Sequence, residues 1–323
     1  MNAESEVCTV GEFIADVLMR SHLRPITVRR YAVKLRKMAA DIAKLEAGLK
    51  GKALRSKFDY VNGGRERWLA KVEGLSMGLL TTEAVSLWRN QYVAKAGSDP
   101  IARKSAERSG ASYIRAGRSL FTRDILPVLR VKLPPNPFAG VKVKAPGAQR
   151  YRSEINPEWL LACAGEELRD DHPQQYLAMF LCLWAGLRRK EADLLTWEQI
   201  DFAQGQLHVR RTIYFEPKTD ESQRDIDLAP EALDVLRSFR KSSESEFVLD
   251  GAEARPEATD DYCRCDCMRR DLNDWLRSKG VLQKKTIHSL RKESGHLSAR
   301  RTAWKPPAST SATAIFARLH LAT

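Results

Sequence analysis

No stretch of this 323-residue chain is apolar for long enough to span a bilayer. Its first ten residues, MNAESEVCTV, show neither a basic n-region nor a long apolar core. A membrane or secreted protein is therefore not expected, and a cytoplasmic one is. Cysteine is scarce: Cys8, Cys163, Cys182, Cys263, Cys265 and Cys267 are all there is. Disulfides are not expected in a reducing compartment. Cys163 and Cys182 lie on apolar faces and read as small buried hydrophobes. Cys263-Arg264-Cys265-Asp266-Cys267 could attract a soft metal, but it lacks the usual C-x2-4-C spacing and a second pair. The expectation is no metal and no cofactor. Clustered carboxylates of the kind a metal-dependent nuclease uses are missing as well. Two absences are local: no tyrosine follows Tyr262, and no Asp or Glu occurs in Ser294–Thr323.

What is plentiful is positive charge, net +13, and it is lopsided. Residues 1–150 hold 28 Lys and Arg against 13 Asp and Glu; residues 151–323 hold 26 against 28. The whole surplus sits in the first half, which points to a polyanion gripped there. A generally solvated basic surface is the plainer reading. An anionic membrane fits less well, because the basic helices also carry apolar faces that a core needs. The length suggests two domains.

Residues 10–24 read as a short helix stopped at Arg24-Pro25. Thr27 can cap the next, whose apolar stripe is Val28, Tyr31, Leu35, Met38 and Ile42. Arg29, Arg30, Lys34 and Lys37 fall mostly off that stripe and are candidate DNA-backbone contacts. The stretch 48–57 reads as a loop or frayed helix end, 68–72 as a helical piece, and 81–97 as a helix. Asp99-Pro100 restarts the chain with a capping side chain and proline at the first helical position. The helix expected over 101–126 turns Tyr113, Ile114, Leu120 and Phe121 inward. Its Arg103, Lys104, Arg115 and Arg118 complete the candidate DNA-binding set. This half is an all-α bundle with basic outer faces. Leu133-Pro134-Pro135-Asn136-Pro137 breaks regular structure, and a basic, proline- and glycine-punctuated linker follows at 144–153.

Asn156-Pro157 starts a helix running to about Leu168. In YLAMFLCLWAGLRRKE (176–191), Tyr176, Leu177, Phe180, Leu181 and Trp184 recur at helical spacing, so the helix is buried. Gly186 stands where a helix ends in the left-handed conformation. Arg188 is then held at the tip of a rigid element, offering a planar fork suited to phosphate. The bland alternative is that it merely pairs with Glu191. Residues 206–213 and 224–228 alternate and read as two strands of a hairpin with Lys218 near its tip. A helix begins at Pro230, 241–262 is acidic and loop-like, 271–278 is helical, and Lys284-Lys285-Thr286 leads into His288-Ser289-Leu290-Arg291.

The series Gly-x-Arg-x-x-Glu, a hairpin lysine, then His-x-x-Arg resembles the catalytic domain of tyrosine recombinases, the phage integrases. That resemblance implies a mainly α chain of two domains. A helical core-binding bundle (1–143) and a linker (144–153) would precede a mixed α/β catalytic domain of helices with a small antiparallel sheet (154–293). It implies a site-specific recombinase of a mobile element, cutting and rejoining DNA through a phosphotyrosine without metal or ATP. Double-stranded DNA is the partner, with self-association on it and a nucleoid-associated, cytoplasmic setting. Arg188 and Arg291 would clamp the non-bridging oxygens, Lys218 would protonate the leaving oxygen, His288 would donate or move a proton, and Glu191 would orient Arg188.

The chain departs from the family at its end. The Leu-Gly-His (or Trp) motif expected some twenty residues past His-x-x-Arg, and the nucleophilic tyrosine after it, are missing. Gly295-His296 comes too early to be that motif. This chain is thus expected to bind DNA without recombining it, unless a neighbouring subunit supplies a tyrosine in trans, and to assemble less firmly. The alternative is a non-catalytic DNA-binding module or regulator derived from a recombinase. The acid-free segment 294–323 reads as out of frame after an indel, or else as a natural variant tail. An out-of-frame origin requires another reading frame of the gene past codon 294 to encode Gly-His followed by tyrosine.

Overall fold

Thr9 opens the first helix with a reciprocal cap: its hydroxyl accepts from Glu12 N, and the Glu12 carboxylate accepts from Thr9 N at 2.8 Å. From there the computed structural model describes residues 7–143, 155–217, 219–256, 262–283 and 285–300, with side chains to Ser294. The chain divides into two compact units, Met1–Gln149 and Arg150–Thr323. Among the described residues no helix is long and apolar enough to cross a membrane.

The first unit is all helical: α1 (Val10–Arg20), α2 (Pro25–Ile42), α3 (Gly51–Arg55), α4 (Gly64–Glu73), α5 (Thr82–Ala94) and α6 (Pro100–Leu120). Its core joins Phe13 and Val17 of α1, Leu35 and Met38 of α2, Val85 of α5 and Ile114 of α6 to Met77 and Phe138. The carboxylate of Asp16, also inward, accepts from the backbone N–H groups of Arg130 and Val131 at 2.6 and 3.2 Å and from Arg20 Nε at 2.6 Å. One buried acid thereby ties the segment after α6 back onto α1.

Two boundaries move for identifiable reasons. Thr27 does not cap α2; the helix starts at Pro25, whose fixed φ and missing N–H suit the first position, and Arg24 precedes it without a side-chain cap. The helix expected to reach 126 stops at Leu120, because Phe121 turns its ring into the core, 5.0 Å from Phe13 and 5.6 Å from Phe138 between centroids. A new turn then starts at Thr122, whose carbonyl accepts from Ile125 and Leu126. Asp99 caps α6 as expected, accepting from Ile101 N and Ala102 N.

The second unit contains α7 (Pro157–Glu167), α8 (Pro173–Leu183), α9 (Arg189–Asp193), strands β1 (Ile200–Asp201), β2 (Gln206–Val209) and β3 (Arg224–Asp227), α10 (Pro230–Ser242), α11 (Asp266–Ser278) and α12 (Thr286–Arg300). Helix α8 is buried on every side from Tyr176 to Leu183, and α12 packs along it. The sheet has order β1-β2-β3, both pairs antiparallel, with Leu207 opposite Ile200 and Ile226, and Val209 opposite Arg224. This is the mainly helical architecture with a small antiparallel sheet that the resemblance implied.

The strand expected over 206–213 ends at Val209. Thr212 pulls the chain out of the ladder: its hydroxyl accepts from Tyr214 N and Phe215 N, and its N–H donates to Phe215 O. Within the acidic stretch 241–262, Phe247-Val248-Leu249 is core, held by Val248 N to Leu195 O at 2.9 Å and Trp197 N to Glu246 O at 2.9 Å. Helix α11 starts at Asp266 rather than 271, so it includes Cys267.

Gly117 lies in α6 directly under the Phe138 ring, which is 1% exposed; a Cβ there would run into the ring. Gly117→Ala should therefore destabilise the first unit by about 1–3 kcal/mol through overpacking, despite alanine's better helix propensity. Urea unfolding measures it; an unchanged or raised midpoint would contradict this packing.

Candidate functional site

Helix α8 ends at a glycine in the left-handed region, Gly186 at φ +62°, and Leu187 N closes the turn on Leu181 O at 3.2 Å. Arg188 follows in extended conformation as the residue capping α9. Three positions on, the Glu191 carboxylate reaches back to accept from Arg188 N at 2.8 Å and from Arg188 Nη1 at 2.5 Å. The pairing weighed from sequence as the bland alternative is present. It is one side of a larger arrangement.

Glu191 is 5% exposed. Arg224 at the start of β3 donates to both its oxygens, Nη2 to Oε2 at 2.8 Å and Nη1 to Oε1 at 3.2 Å. Arg291 of α12 is 3.5 Å from Oε2 and also donates to Gly186 O at 2.8 Å. Arg224 Nη2 meets the same carbonyl at 3.5 Å. Three guanidinium groups, from segments as far apart as 188 and 291, therefore converge on one carboxylate and one helix-end carbonyl. Burial pushes the Glu191 carboxyl up, but the bonds from Arg224 and Arg188 outweigh it and hold it below its ordinary 4.5. With a single anion facing three permanent cations, the cluster keeps a positive surplus. The arginines keep exposed surface, 44% of the Arg188 side chain, 28% of Arg224 and 26% of Arg291. Such an arrangement can accommodate an anion.

His288 lies one turn before Arg291 on α12 and is exposed. Its pKa is held below 6.5, by partial desolvation first and then by Lys292, Lys285, Arg291 and Arg188. Partial burial and these cations both disfavour the imidazolium form. Lys218 lies outside the described residues. Arg188, His288, Arg291 and Glu191 are brought together; Arg224 was not foreseen. The signal for it was available: along β3, Arg224 shares the inward face with Ile226 and Leu228, and an inward arginine needs a buried partner.

Among the DNA-backbone candidates of the first unit, Arg29 and Arg30 of α2 and Arg103, Lys104 and Arg115 of α6 have exposed side chains. Lys34 donates to Ser112 Oγ at 2.8 Å across the α2–α6 contact; burial, then Arg115, lowers its pKa. Lys37 is engaged by Asp41 at 2.7 Å and Glu46 at 3.3 Å, and Arg118 by the carbonyls of Phe138 and Val141. Those two hold the unit together.

The Cys263–Cys267 segment has a different task. The Asp193 carboxylate accepts from Arg264 N and Cys265 N at 3.0 Å each, and from the Cys263 thiol at 3.3 Å. Arg264 lies flat over Phe247, 3.7 Å from the ring centroid, donating to the carbonyls of Ala252, Asp193 and Leu249. Burial and then Asp193 push the Cys263 thiol up to about 11 and Cys265 higher still. Both thiols stay protonated, and Cys267 is exposed. Among the described residues no group of His, Cys, Asp and Glu could hold a metal ion.

No protein-family model and no curated protein sequence matches this chain. Solved structures with a similar course include lambda integrase bound to DNA, 18% identical with TM-score 0.46 over 85% of this chain and 87% of that one. Another is the Tn1549 transposon integrase with transposon right-end DNA, 17% identical, TM-score 0.43, over 90% and 99%. A third is XerA recombinase, 13% identical, TM-score 0.33, over 92% and 85%.

Glu191→Ala would leave three arginines facing one another. The expected loss is about 2–4 kcal/mol, less than for a fully buried pair because the arginines reach solvent. Glu191→Gln adds the pH test. A carboxyl held low stabilises the fold above its unfolded pKa, and that contribution is lost as pH falls through its folded value. The gap between wild type and Glu191→Gln in urea melts should be full above pH 4.5 and shrink below it. A gap independent of pH would refute the charged cluster.

Proposed function

We propose that this chain is a double-stranded DNA-binding protein of the tyrosine recombinase family. In this reading the second unit seats a backbone phosphate between Arg188, Arg291 and His288, and the chain does not itself form the covalent link. The observation that carries the reading is the surplus of positive charge on the Glu191-anchored arginines, built from the segments the resemblance singles out. Arg188 and Arg291 would bind the non-bridging oxygens, Glu191 and Arg224 would hold those two arginines in register, and His288 would donate to the phosphate. Lys218 is proposed for the leaving oxygen by resemblance alone. The exposed arginines and lysine of α2 and α6 would take flanking phosphates.

The missing part is the attacking oxygen. Of the tyrosines described in the second unit, Tyr176 is buried between Phe180 and Phe239. Tyr214 donates to Glu246 at 3.0 Å, and the Tyr262 hydroxyl bonds the Arg255 backbone. None bonds the arginine cluster. A regulator that keeps the cluster only for binding is the second reading. Restoring a tyrosine-bearing tail separates the two: the first reading predicts strand cleavage that Arg188→Ala abolishes, the second only a change in affinity.

On a mixed-sequence duplex the wild-type chain should bind with strong salt dependence. Arg188→Ala and Arg291→Ala should each flatten the plot of log affinity against log salt by about one unit. Denaturing gels should show no covalent protein–DNA adduct, and an adduct would overturn the proposal. Because a phosphate favours imidazolium, binding should take up a proton at His288. Affinity should then rise as pH falls towards the His288 pKa of the free chain, which lies below 6.5, and the profile should be flat in His288→Gln. A flat wild-type profile would remove His288 from the site.

A further inference from the structure

Between α2 and α4 the chain makes a detour that the first unit's core does not require. Residues 49–61 contain Leu49, Leu54, Phe58, Tyr60 and Val61, exposed by 43, 36, 62, 71 and 94%. No other stretch of comparable length among the described residues leaves so many large apolar side chains in water. Single exposed apolar residues need no explanation; a run of them on one short segment does.

The turn at its tip is closed by its own hydrogen bonds. The Asp59 carboxylate accepts from Asn62 N and Asn62 Nδ2, both at 2.9 Å, closing the turn that carries Tyr60 and Val61. Asp59 N donates to Ser56 O at 2.9 Å, and Arg65 N to Asp59 O at 3.1 Å. Gly63, at φ +69°, takes the left-handed position, and at Gly64 any side chain would run into the Ser56 carbonyl. Lys57 pins the knuckle to the end of α2 through Glu46, with its ammonium 5.2 Å from the Phe58 ring centroid and 5.5 Å from that of Trp68. An apolar tip held this firmly is preorganised to be covered.

Charge selects the occupant. Residues 49–67 hold Lys50, Lys52, Arg55, Lys57, Arg65 and Arg67 against Asp59 and Glu66. Lys50, Lys52 and Arg55 are exposed, with no carboxylate partner among the described residues. A second copy of the chain would set these cations against themselves. A polyanion with an apolar interior reached through a charged rim suits both halves of the surface, and duplex DNA is that object. We propose that this knuckle is a separate duplex-DNA contact: Lys50, Lys52 and Arg55 take phosphates while Tyr60 and Val61 wedge against a base step in the minor groove. The inference rests on the DNA-binding reading above.

The full-length chain and a mixed-sequence duplex test it. Lys52→Gln/Arg55→Gln should flatten the salt dependence by about two units. Tyr60→Ser/Val61→Ser should weaken binding about tenfold with the slope unchanged, since it removes apolar contact and no charge. A benzophenone amino acid in place of Val61 should photo-crosslink to a DNA strand. The inference is overturned if wild type binds the duplex and both double variants match it. It is equally overturned if position 61 crosslinks to a second protein copy, or if the variants lose binding only to anionic lipid vesicles. Failure of wild type to bind any duplex would instead fell the underlying reading, and this inference with it.

Discussion

Glu191 is where the second unit's chemistry and its fold meet. A carboxylate 5% exposed is costly to keep ionised unless cations and donors surround it, and this one collects Arg188, Arg224 and Arg291. Each arginine arrives from a different element: the turn after α8, the first residue of β3, and α12. The acid thus fixes how three pieces of secondary structure sit against each other. Gly186 adds the second anchor, because ending α8 in the left-handed region leaves its carbonyl accepting from Arg291 and Arg224. The arginines are consequently positioned before any ligand arrives, which is what an anion site needs for its binding energy to be kept.

The same device recurs where no chemistry is at stake. Asp16 gathers Arg20 and two backbone donors in the first unit, and Asp193 gathers Arg264, Cys265 and Cys263 in the second. What distinguishes Glu191 is the charge balance. Asp193 is met by two backbone N–H groups and a thiol, and Asp16 by one guanidinium, so neither is outnumbered by cations. Glu191 faces three guanidinium groups and leaves the surplus partly in solvent. An inward acid is ordinary glue; an inward acid outnumbered by arginines leaves cationic surface to spare.

Much of this could be read from residue order, and what could not has physical reasons. Apolar spacing across 176–184 and the glycine at 186 were enough to put Arg188 at the end of a rigid buried helix, because both signals are local. His288 and Arg291, one turn apart, were legible on the same ground. Arg224 was not, since its role depends on Glu191 thirty-three residues earlier; only its inward register on β3 hinted at a partner. The Lys37–Asp41 pair was legible as an i,i+4 neighbour on α2, whereas Glu46 beyond the helix and the two carbonyls that engage Arg118 depend on tertiary folding that helical spacing cannot show. The strand after Gln206 was drawn too long because Thr212 closes a side-chain turn that competes with the ladder. The Cys-x-Cys pair drew attention as thiols, whereas Asp193 uses one of them through its backbone.

A cluster carrying surplus positive charge limits what else can be charged nearby. His288 illustrates the limit: partial burial first, and then Lys292, Lys285, Arg291 and Arg188, disfavour its proton. An anion bound beside it would be linked to that proton, each raising the affinity for the other by the same factor, as reciprocity demands. In a strand-cutting enzyme such coupling would bring a protonated imidazole to the phosphate when the phosphate is in place, and not before. Such coupling would belong to the arginines, the histidine and the anion, and would not depend on a nucleophile. What the described residues show is a cationic cluster assembled by Glu191 and the Gly186 carbonyl, and its surplus charge follows from that assembly alone.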